Sequence, residues 1–147
     1  MKNQKPRILE EILTYSRITK GESQKILDLG GAPFYTDVIL HRAGHQLDVV
    51  DIAPERFEGF ASEFGINVVK GNIELEKLPA EDCSYDGVIL AEVFEHLRID
   101  LNFTVSEIFR VLKPGGWFYL STPNMFSYRR LWTLITKGID IRNLFSI

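Results

Sequence analysis

Small residues and two carboxylates occur in this sequence at a spacing that suits the binding of a nucleoside. Asp28 lies in a short apolar segment that continues into Gly30-Gly31-Ala32, and Asp51 ends a second apolar segment about 20 residues later. Small residues allow a ligand to approach the backbone, and a carboxylate such as Asp51 can accept hydrogen bonds from both hydroxyls of a ribose. The pattern predicts a nucleoside site, and NAD is one ligand that would fit it.

Two later segments provide further candidates for the same site. Asn72 and Ile73 follow a third apolar segment, and Ala91 to Val93 follow a fourth. An amide beside an apolar side chain can hydrogen-bond the edge of an adenine and pack against its face. The residues 91–93 are expected at the mouth of the same crevice.

Acid–base chemistry has three candidate side chains near that crevice. They are Glu92, Glu95 and His96, within the segment EVFEHL. If a hydroxyl group is the acceptor of a transferred group, one of them can act as the general base. Glu95 and His96 are the candidates that we retain as catalytic.

The elements that must position these residues alternate between strand and helix. Apolar periodicity and the positions of Gly and Pro predict helices over 7–19, 35–43, 55–64 and 103–112, and strands over 25–30, 45–50, 66–69, 85–90 and 117–121. Such alternation is typical of parallel βαβ units, with a sheet covered by helices on both faces. Right-handed crossovers favour an α/β, Rossmann-like, doubly wound and mainly parallel sheet with strand order 3-2-1-4-5. Gly115-Gly116 is interpreted as a tight turn between the last helix and the last strand.

Composition indicates one globular domain over residues 1–147. Apolar residues make up 45% and charged residues 25% of the chain, and the net charge of −3 argues against general binding to nucleic acid. The sequence shows no signal peptide and no apolar run of about 20 residues, and with the single Cys83 this favours the cytoplasm. His41 and His45 flank a turn and are expected at the surface.

Five ordered segments resemble the class I S-adenosylmethionine-dependent methyltransferases, especially the branch related to ubiquinone-biosynthesis enzymes. The segments are ILDLGGAP, VVDIAPERF, VVKGNIELEKLP, SYDGVILAEVFEHL and EIFRVLKPGGWFYLSTPN, and together they span about residues 25–124. The segments EVFEHL and KPGG are not expected in an NAD-binding protein, so they favour the methyltransferase resemblance. The resemblance implies methyl transfer from S-adenosyl-L-methionine.

The same resemblance implies a role for each candidate in cofactor binding. Asp28 and Gly30 to Ala32 would hold the methionine part, Asp51 the ribose, and Ile52 would pack on the adenine. Asn72 and Ile73 would flank the adenine, and Ala91 to Val93 would line the cofactor near its sulfonium. The family has aspartate where Asn72 stands, and a neutral amide can still accept a hydrogen bond from the adenine amino group.

The first motif departs from the family pattern. The family has glycines at alternate positions after the acidic residue, whereas this chain has Gly30, Ala32 and Phe34. Pro33 also removes a backbone donor. The turn is therefore expected to differ locally, with Tyr35 or Thr36 contacting the cofactor carboxylate.

A metal ion is not expected. The spacing ExxEH and the segment STPN also resemble small-RNA 3′-end methyltransferases, which bind a metal. Those enzymes need a further downstream histidine, and no histidine follows His96.

The C-terminal segment is the least regular part of the sequence. Residues 125–147 contain four basic side chains and one acidic side chain among apolar ones, which suits a lid helix or a weak membrane contact. The family's hairpin of strands six and seven has no counterpart, so we expect a truncated or minimal chain. Its last strand would then be exposed at the sheet edge and could form a homodimer.

The sequence therefore favours a methyltransferase that acts on a small-molecule, glycan or lipid-linked acceptor, at oxygen. The altered glycine motif and the missing hairpin also fit a catalytically silent cofactor-binding or scaffold domain of the same fold.

Overall fold

The strand β1 (Lys25–Leu29) lies at the centre of a five-stranded sheet. Three of the five residues in its sequence KILDL are apolar, and four of the five are buried, as expected for a strand covered on both faces. The structure, a computed structural model, describes residues 5–122. β1 pairs in parallel with β2 (Gln46–Asp51) and β4 (Tyr85–Ala91), while β3 (Asn67–Lys70) and β5 (Leu112–Ser121) lie outside them. The order β3-β2-β1-β4-β5 confirms the predicted Rossmann-like sheet.

Helices cover both faces of this sheet. The helices α1 (Lys5–Thr19), α2 (Tyr35–Arg42) and α3 (Glu58–Glu63) pack on one face, and α4 (Leu101–Val111) packs on the other. Alternate residues of β1 therefore enter different cores. Ile26 packs with Tyr15 of α1, whereas Leu27 and Leu29 pack with Ile108 of α4. Asp28 points to the same face as Ile26, towards α1 and α2, because strand side chains alternate.

The helix predicted over 55–64 is interrupted. A 3₁₀ turn spans Pro54–Arg56, and α3 begins only at Glu58, because Phe57 adopts a non-helical conformation with φ −134°. Pro54 still begins the helical segment, as proline does at first helical positions.

The segment after α4 is a bulge in β5 and not a separate turn before it. Tyr85 of β4 pairs with Leu112, and Gly87 pairs with Trp117, so residues 113–116 lie opposite Asp86 alone. Gly115 has φ +81°, which accommodates the excess residues, and Lys113 Nζ lies 2.7 Å from Asp86 Oδ1.

Two predictions of exposure were wrong. The helical spacing of Val105, Ile108, Phe109 and Leu112 in the sequence predicts that they form one buried apolar stripe. Phe109 is instead 64% exposed, and the buried residues of α4 are Thr104, Glu107, Ile108 and Val111. His45 is buried and not at the surface, and its Nδ1 accepts a hydrogen bond of 3.2 Å from the backbone N–H of Gln24. Burial lowers the pKa of His45, which favours this neutral acceptor form.

The predicted lid or membrane-contacting segment 125–147 lies outside the described residues. Within residues 5–122, no helix has the length and apolar character that crossing a bilayer requires. β5 pairs with no strand other than β4 in this part of the chain, and the homodimer across that edge stays a prediction.

Gly87 provides a test of the packing between β4 and β5. A Cβ at this position would collide with the indole ring of Trp117, whose Nε1 donates a hydrogen bond of 2.8 Å to Gln24. We expect Gly87→Ala to lower the free energy of unfolding by about 1–3 kcal/mol in urea titrations, because the indole must move.

Gly59→Ala in α3 is the matched control. A Cβ at Gly59 would meet no atom within 4 Å, so alanine should stabilise the helix by about 0.5–1 kcal/mol. Equal stability of Gly87→Ala and the wild type would contradict this packing.

Candidate functional site

The carboxyl ends of β1 to β4 enclose a cavity of about 490 Å³, within the usual range for small-molecule sites. Apolar side chains dominate its wall, with a few polar groups among them. The lining residues are Gly30, Ala32, Val50, Asp51, Ile52, Ala53, Arg56, Phe57, Gly71, Asn72, Ile73, Glu74, Val93, His96 and Leu97.

Gly30 lets the turn after β1 lie against the turn after β4. Its φ of +78° is in the left-handed region, and its N–H donates a 2.7 Å hydrogen bond to the carbonyl of Val50. A Cβ on Gly30 would lie only 2.5 Å from Cγ2 of Val93. Both the conformation and the contact therefore require glycine, and a ligand in the cavity can reach the backbone of this turn.

Asp51 provides a fixed carboxylate at the end of β2. The residue is buried, and its Oδ1 accepts a 2.8 Å hydrogen bond from the backbone N–H of Ala53. The other oxygen, Oδ2, accepts no hydrogen bond from the described residues. A carboxylate held in this way can accept hydrogen bonds from two adjacent hydroxyl groups of a ligand.

Apolar side chains of Ile52 and Ile73 lie in the wall near Asp51. Ile52 is 64% exposed, which leaves a large apolar side chain facing water unless a ligand covers it. Ile73 is buried, and its carbonyl accepts a 3.1 Å hydrogen bond from Oγ1 of Thr104 in α4. The wall thus offers apolar surface suited to a flat ring.

Asn72 is oriented by its own loop. Its side-chain Oδ1 accepts a 3.0 Å hydrogen bond from the backbone N–H of Glu74, and the backbone N–H of Asn72 donates to Oε2 of Glu76 at 3.2 Å. The Nδ2 group makes no hydrogen bond with the described residues. This geometry favours Asn72 as a donor to a ligand, whereas the sequence suggested an acceptor.

Glu95 and His96 lie together beyond β4, with His96 at the cavity. The distance from His96 Nε2 to Glu95 Oε1 is 3.9 Å, too long for a hydrogen bond. Glu95 Oε2 is buried without a hydrogen-bond partner among the described residues, whereas most of the His96 side chain is exposed. Of the two candidate bases, the imidazole of His96 is better placed to reach a ligand.

The remaining predicted site residues lie beside the cavity wall instead of in it; they are Asp28, Gly31, Ala91, Glu92 and Glu95. Glu92 has φ +59°, its N–H donates to the Ser121 carbonyl at 2.9 Å, and its Oε1 accepts from Ser121 Oγ at 3.3 Å. These contacts turn the chain after β4 and bring Val93 to the cavity. Neither Tyr35 nor Thr36 lines the cavity.

Phe34 explains how the altered glycine motif is accommodated. Its φ of +65° is a conformation that glycine usually supplies, and its N–H donates a 2.7 Å hydrogen bond to the Gly31 carbonyl. The side chain is completely buried between α2 and α3, and its ring lies 6.1 Å from that of Phe57, edge to face. Burial of the aromatic ring stabilises the folded state by enough free energy to offset the cost of about 1–2 kcal/mol for the left-handed backbone conformation.

The sequence interpretation missed several residues of the wall. Arg56 and Phe57 reach it because the 3₁₀ turn replaces the first turn of the predicted helix. Glu74 was missed for another reason. Its Oε1 accepts hydrogen bonds of 2.6 Å from the backbone N–H groups of Arg98 and Ile99, joining two loops that are distant in sequence. Pro54, which begins the segment PERF, indicates a turn near Arg56 and Phe57. No local sequence pattern predicts the contact of Glu74 with the loop at residues 98–99.

The sequence of the core is similar to a methyltransferase family and to curated methyltransferases. A family profile described as a methyltransferase domain matches residues 27–120. A probable S-adenosylmethionine-dependent methyltransferase of Mycolicibacterium smegmatis is 39% identical over 98 residues, which cover 67% of this chain and 35% of that protein. The ubiquinone biosynthesis O-methyltransferase of Xanthomonas oryzae pv. oryzae is 32% identical over 106 residues, covering 68% of this chain and 43% of that enzyme.

The fold is also found in solved structures. The PH0226 protein from Pyrococcus horikoshii matches with a TM-score of 0.71 and 26% identity, over 80% of this chain and 57% of that one. The chain spans less than half the length of the two curated relatives above.

The contact between Gly30 and Val93 can be tested by a double-mutant cycle. We expect Gly30→Ala to destabilise the protein, because the new methyl group meets Val93 and the backbone is strained. Val93→Ala removes the atom that causes the collision, so the double variant should regain about 1 kcal/mol or more relative to additivity in urea unfolding. Additive effects would show that the two turns do not touch.

Proposed function

The chain belongs to the methyltransferase domain family, and from that premise we propose that it binds S-adenosyl-L-methionine and transfers its methyl group to an oxygen atom of an acceptor. The single observation that carries this proposal is the convergence of Gly30, Asp51, Asn72 and Val93 on one cavity from the ends of four different strands. The acceptor belongs to the class of small molecules, including glycan and lipid-linked precursors.

The residues of the cavity fit the cofactor. The absence of a side chain at Gly30 lets the turn after β1 lie against Val93, so that both residues form one wall of the cavity where the cofactor would lie. The Asp51 carboxylate suits the two ribose hydroxyls, and the exposed Ile52 with Ile73 suits the two faces of an adenine. Nδ2 of Asn72 can donate to an adenine ring nitrogen.

The bound cofactor supplies a methyl group on a sulfonium, which is already an activated leaving group. The chain therefore has to orient the two reactants in line and exclude water, which is the main source of acceleration in such reactions. The apolar wall provided by Val93 and Leu97 limits water near the reacting atoms. His96 takes the proton from an acceptor hydroxyl at its imidazole, and Glu95 lies close enough to stabilise the charge that results.

Oxygen as the acceptor atom is supported by two observations. A base is needed to remove a proton from a hydroxyl group, and His96 is at the cavity. The similar Xanthomonas oryzae protein is named an O-methyltransferase. The net charge of −3 supports a small acceptor over a nucleic acid.

Cofactor binding can be tested by calorimetric titration with S-adenosylhomocysteine and with NAD. We expect the first to bind and the second not to bind. Asp51→Ala should weaken binding of S-adenosylhomocysteine about tenfold or more, because hydrogen bonds to a charged group are lost. Glu63→Ala removes an exposed carboxylate of α3 and is the control. An unchanged dissociation constant for Asp51→Ala would remove the ribose assignment, and binding of NAD alone would exclude the methyltransferase.

Methyl transfer can be tested with an isotopically labelled methyl donor and a panel of phenol, alcohol, carboxylate and amine acceptors. We expect label on a hydroxyl acceptor, and we expect His96→Gln to lower kcat about 100-fold or more while S-adenosylhomocysteine still binds. Glu95→Gln should have a smaller effect. Binding of the cofactor without transfer to any acceptor would instead support a scaffold domain of the same fold.

A further inference from the structure

Glu74 joins two loops of the cavity wall. It follows β3 in the same loop as Asn72, and it lines the cavity. Its Oε1 accepts hydrogen bonds of 2.6 Å from the backbone N–H groups of both Arg98 and Ile99, which are 24 and 25 residues away in sequence. Residues 97–100 begin directly after His96 and lead into α4. One carboxylate therefore connects the loop after β3 to the loop that carries the candidate base.

The two hydrogen bonds to Glu74 determine where residues 98 and 99 lie. Both are shorter than the distance of about 2.9 Å that is usual for N–H···O hydrogen bonds, as expected when the acceptor is charged. The donors are successive N–H groups that converge on one oxygen, an arrangement that suits an anion. Within residues 5–122, these two N–H groups make no other hydrogen bond. The position of this short segment therefore depends on one side chain.

The main chain of Glu74 also orients Asn72. The N–H of Glu74 donates a 3.0 Å hydrogen bond to Oδ1 of Asn72, which leaves the Nδ2 group for a ligand. In the same loop, the N–H of Gly71 donates a 3.0 Å hydrogen bond to the carbonyl of Asp51. Glu74 thus contacts a cofactor-side residue through its main chain and the loop after His96 through its side chain.

The helix α4 supports this contact from below. Thr104 is 1% exposed, and its Oγ1 lies 3.1 Å from the carbonyl oxygens of both Ile73 and Asp100. A hydroxyl group donates one hydrogen bond at a time, so these two carbonyls share the same donor. Residues 73 and 100 flank the contact of Glu74 with residues 98 and 99, and both are held to one buried side chain. The separation of the two loops is therefore set by the core.

His96 itself has little else to fix its position. Its side chain is 56% exposed and makes no hydrogen bond in the part of the chain that the structure describes, since Glu95 Oε1 is 3.9 Å away from Nε2. Its backbone lies in the short 3₁₀ turn Phe94–His96, and Leu97 then adopts an extended conformation with φ −69° and ψ 128°. A single 3₁₀ turn is a weak support, so the chain that leaves it needs a second fixed point. Glu74 provides that point two residues after His96.

We infer that Glu74 is a positioning residue, which holds the loop after His96 so that the imidazole faces the cavity, and which links this placement to occupation of the adenine end. The inference rests on the proposed function, in which His96 is the base and Asn72 contacts the cofactor. A ligand bound to Asn72 restricts the loop at residues 72–74, and the carboxylate passes this restriction to residues 98 and 99. The base is therefore ordered when the cofactor is in place.

Amide hydrogen exchange followed by NMR tests this link without any acceptor. In the wild-type protein, S-adenosylhomocysteine should slow exchange at Arg98 and Ile99 by about tenfold or more, because the loop that holds them is restricted. Glu74→Ala should raise exchange at both amides about tenfold or more in the free protein and abolish the slowing by ligand. Glu74→Gln keeps an oxygen acceptor without the charge, so it should restore part of the protection.

Glu55→Ala is the matched control. It also removes an exposed carboxylate that joins two segments at this edge of the sheet, because Glu55 Oε1 lies 3.0 Å from Lys70 Nζ. Neither residue contacts the loop after His96, so exchange at residues 98 and 99 should equal that of the wild type with and without ligand.

The NMR signal of the His96 imidazole distinguishes a positioning role from a contribution to stability alone. The signal is assigned by its loss in His96→Gln. It should shift when S-adenosylhomocysteine binds to the wild type, lose most of that shift in Glu74→Ala, and regain part of it in Glu74→Gln. A side chain that only stabilised the fold would leave the shift unchanged in the molecules that remain folded.

The outcomes separate this inference from the proposed function. If S-adenosylhomocysteine binds and exchange at Arg98 and Ile99 does not change, the inference is overturned and the methyltransferase proposal stands. A wild-type shift of the His96 signal in Glu74→Ala would refute it equally. Failure of S-adenosylhomocysteine to bind the wild type would overturn both proposals. If Glu74→Ala does not fold, the wild type with and without ligand and Glu74→Gln decide the matter.

Discussion

The parallel pairing of β1 with β2 on one side and β4 on the other is the constraint on which the remainder of the structure depends. Asp28 is in register with Val49 of β2 and with Ile89 of β4, so the three strands end at nearly the same height. Parallel strands place all their carboxyl ends at one edge of the sheet. Residues that are about 20 to 60 positions apart in sequence therefore surround one cavity because strand pairing alone brings them together.

The sheet could be predicted from the sequence because its signals are local and repeated. Each central strand is a short, largely apolar run that ends at or just before a small or acidic residue, and strand order follows from the handedness of the crossovers. The exceptions are places where tertiary contacts override a local pattern. Phe57 leaves the helical conformation and packs edge to face against Phe34, and the residues 113–116 bulge opposite Asp86. His45 becomes a buried acceptor because the backbone N–H of Gln24 lies beside it.

The candidate site could be predicted in part for the same reason. Gly30, Asp51, Asn72 and Val93 lie at the end of a strand or within two residues of it, so their positions are determined by the sheet. The contact of Glu74 with Arg98 and Ile99, and the meeting of Asp28 with Asp37, join different elements across the fold. Asp37 resembles an ordinary polar residue in the first turn of a helix. Only the packing of α2 onto β1 shows that it is buried beside a second carboxyl.

Phe34 has a consequence for how the ligand-facing turn behaves before any ligand arrives. A glycine at this position would leave the backbone free to sample many conformations, and each would be lost on binding. The buried ring instead anchors the turn in the core between α2 and α3. The turn is preorganised, so less conformational entropy is lost when it closes on a molecule, and its movement requires the extraction of an aromatic side chain from a packed interior.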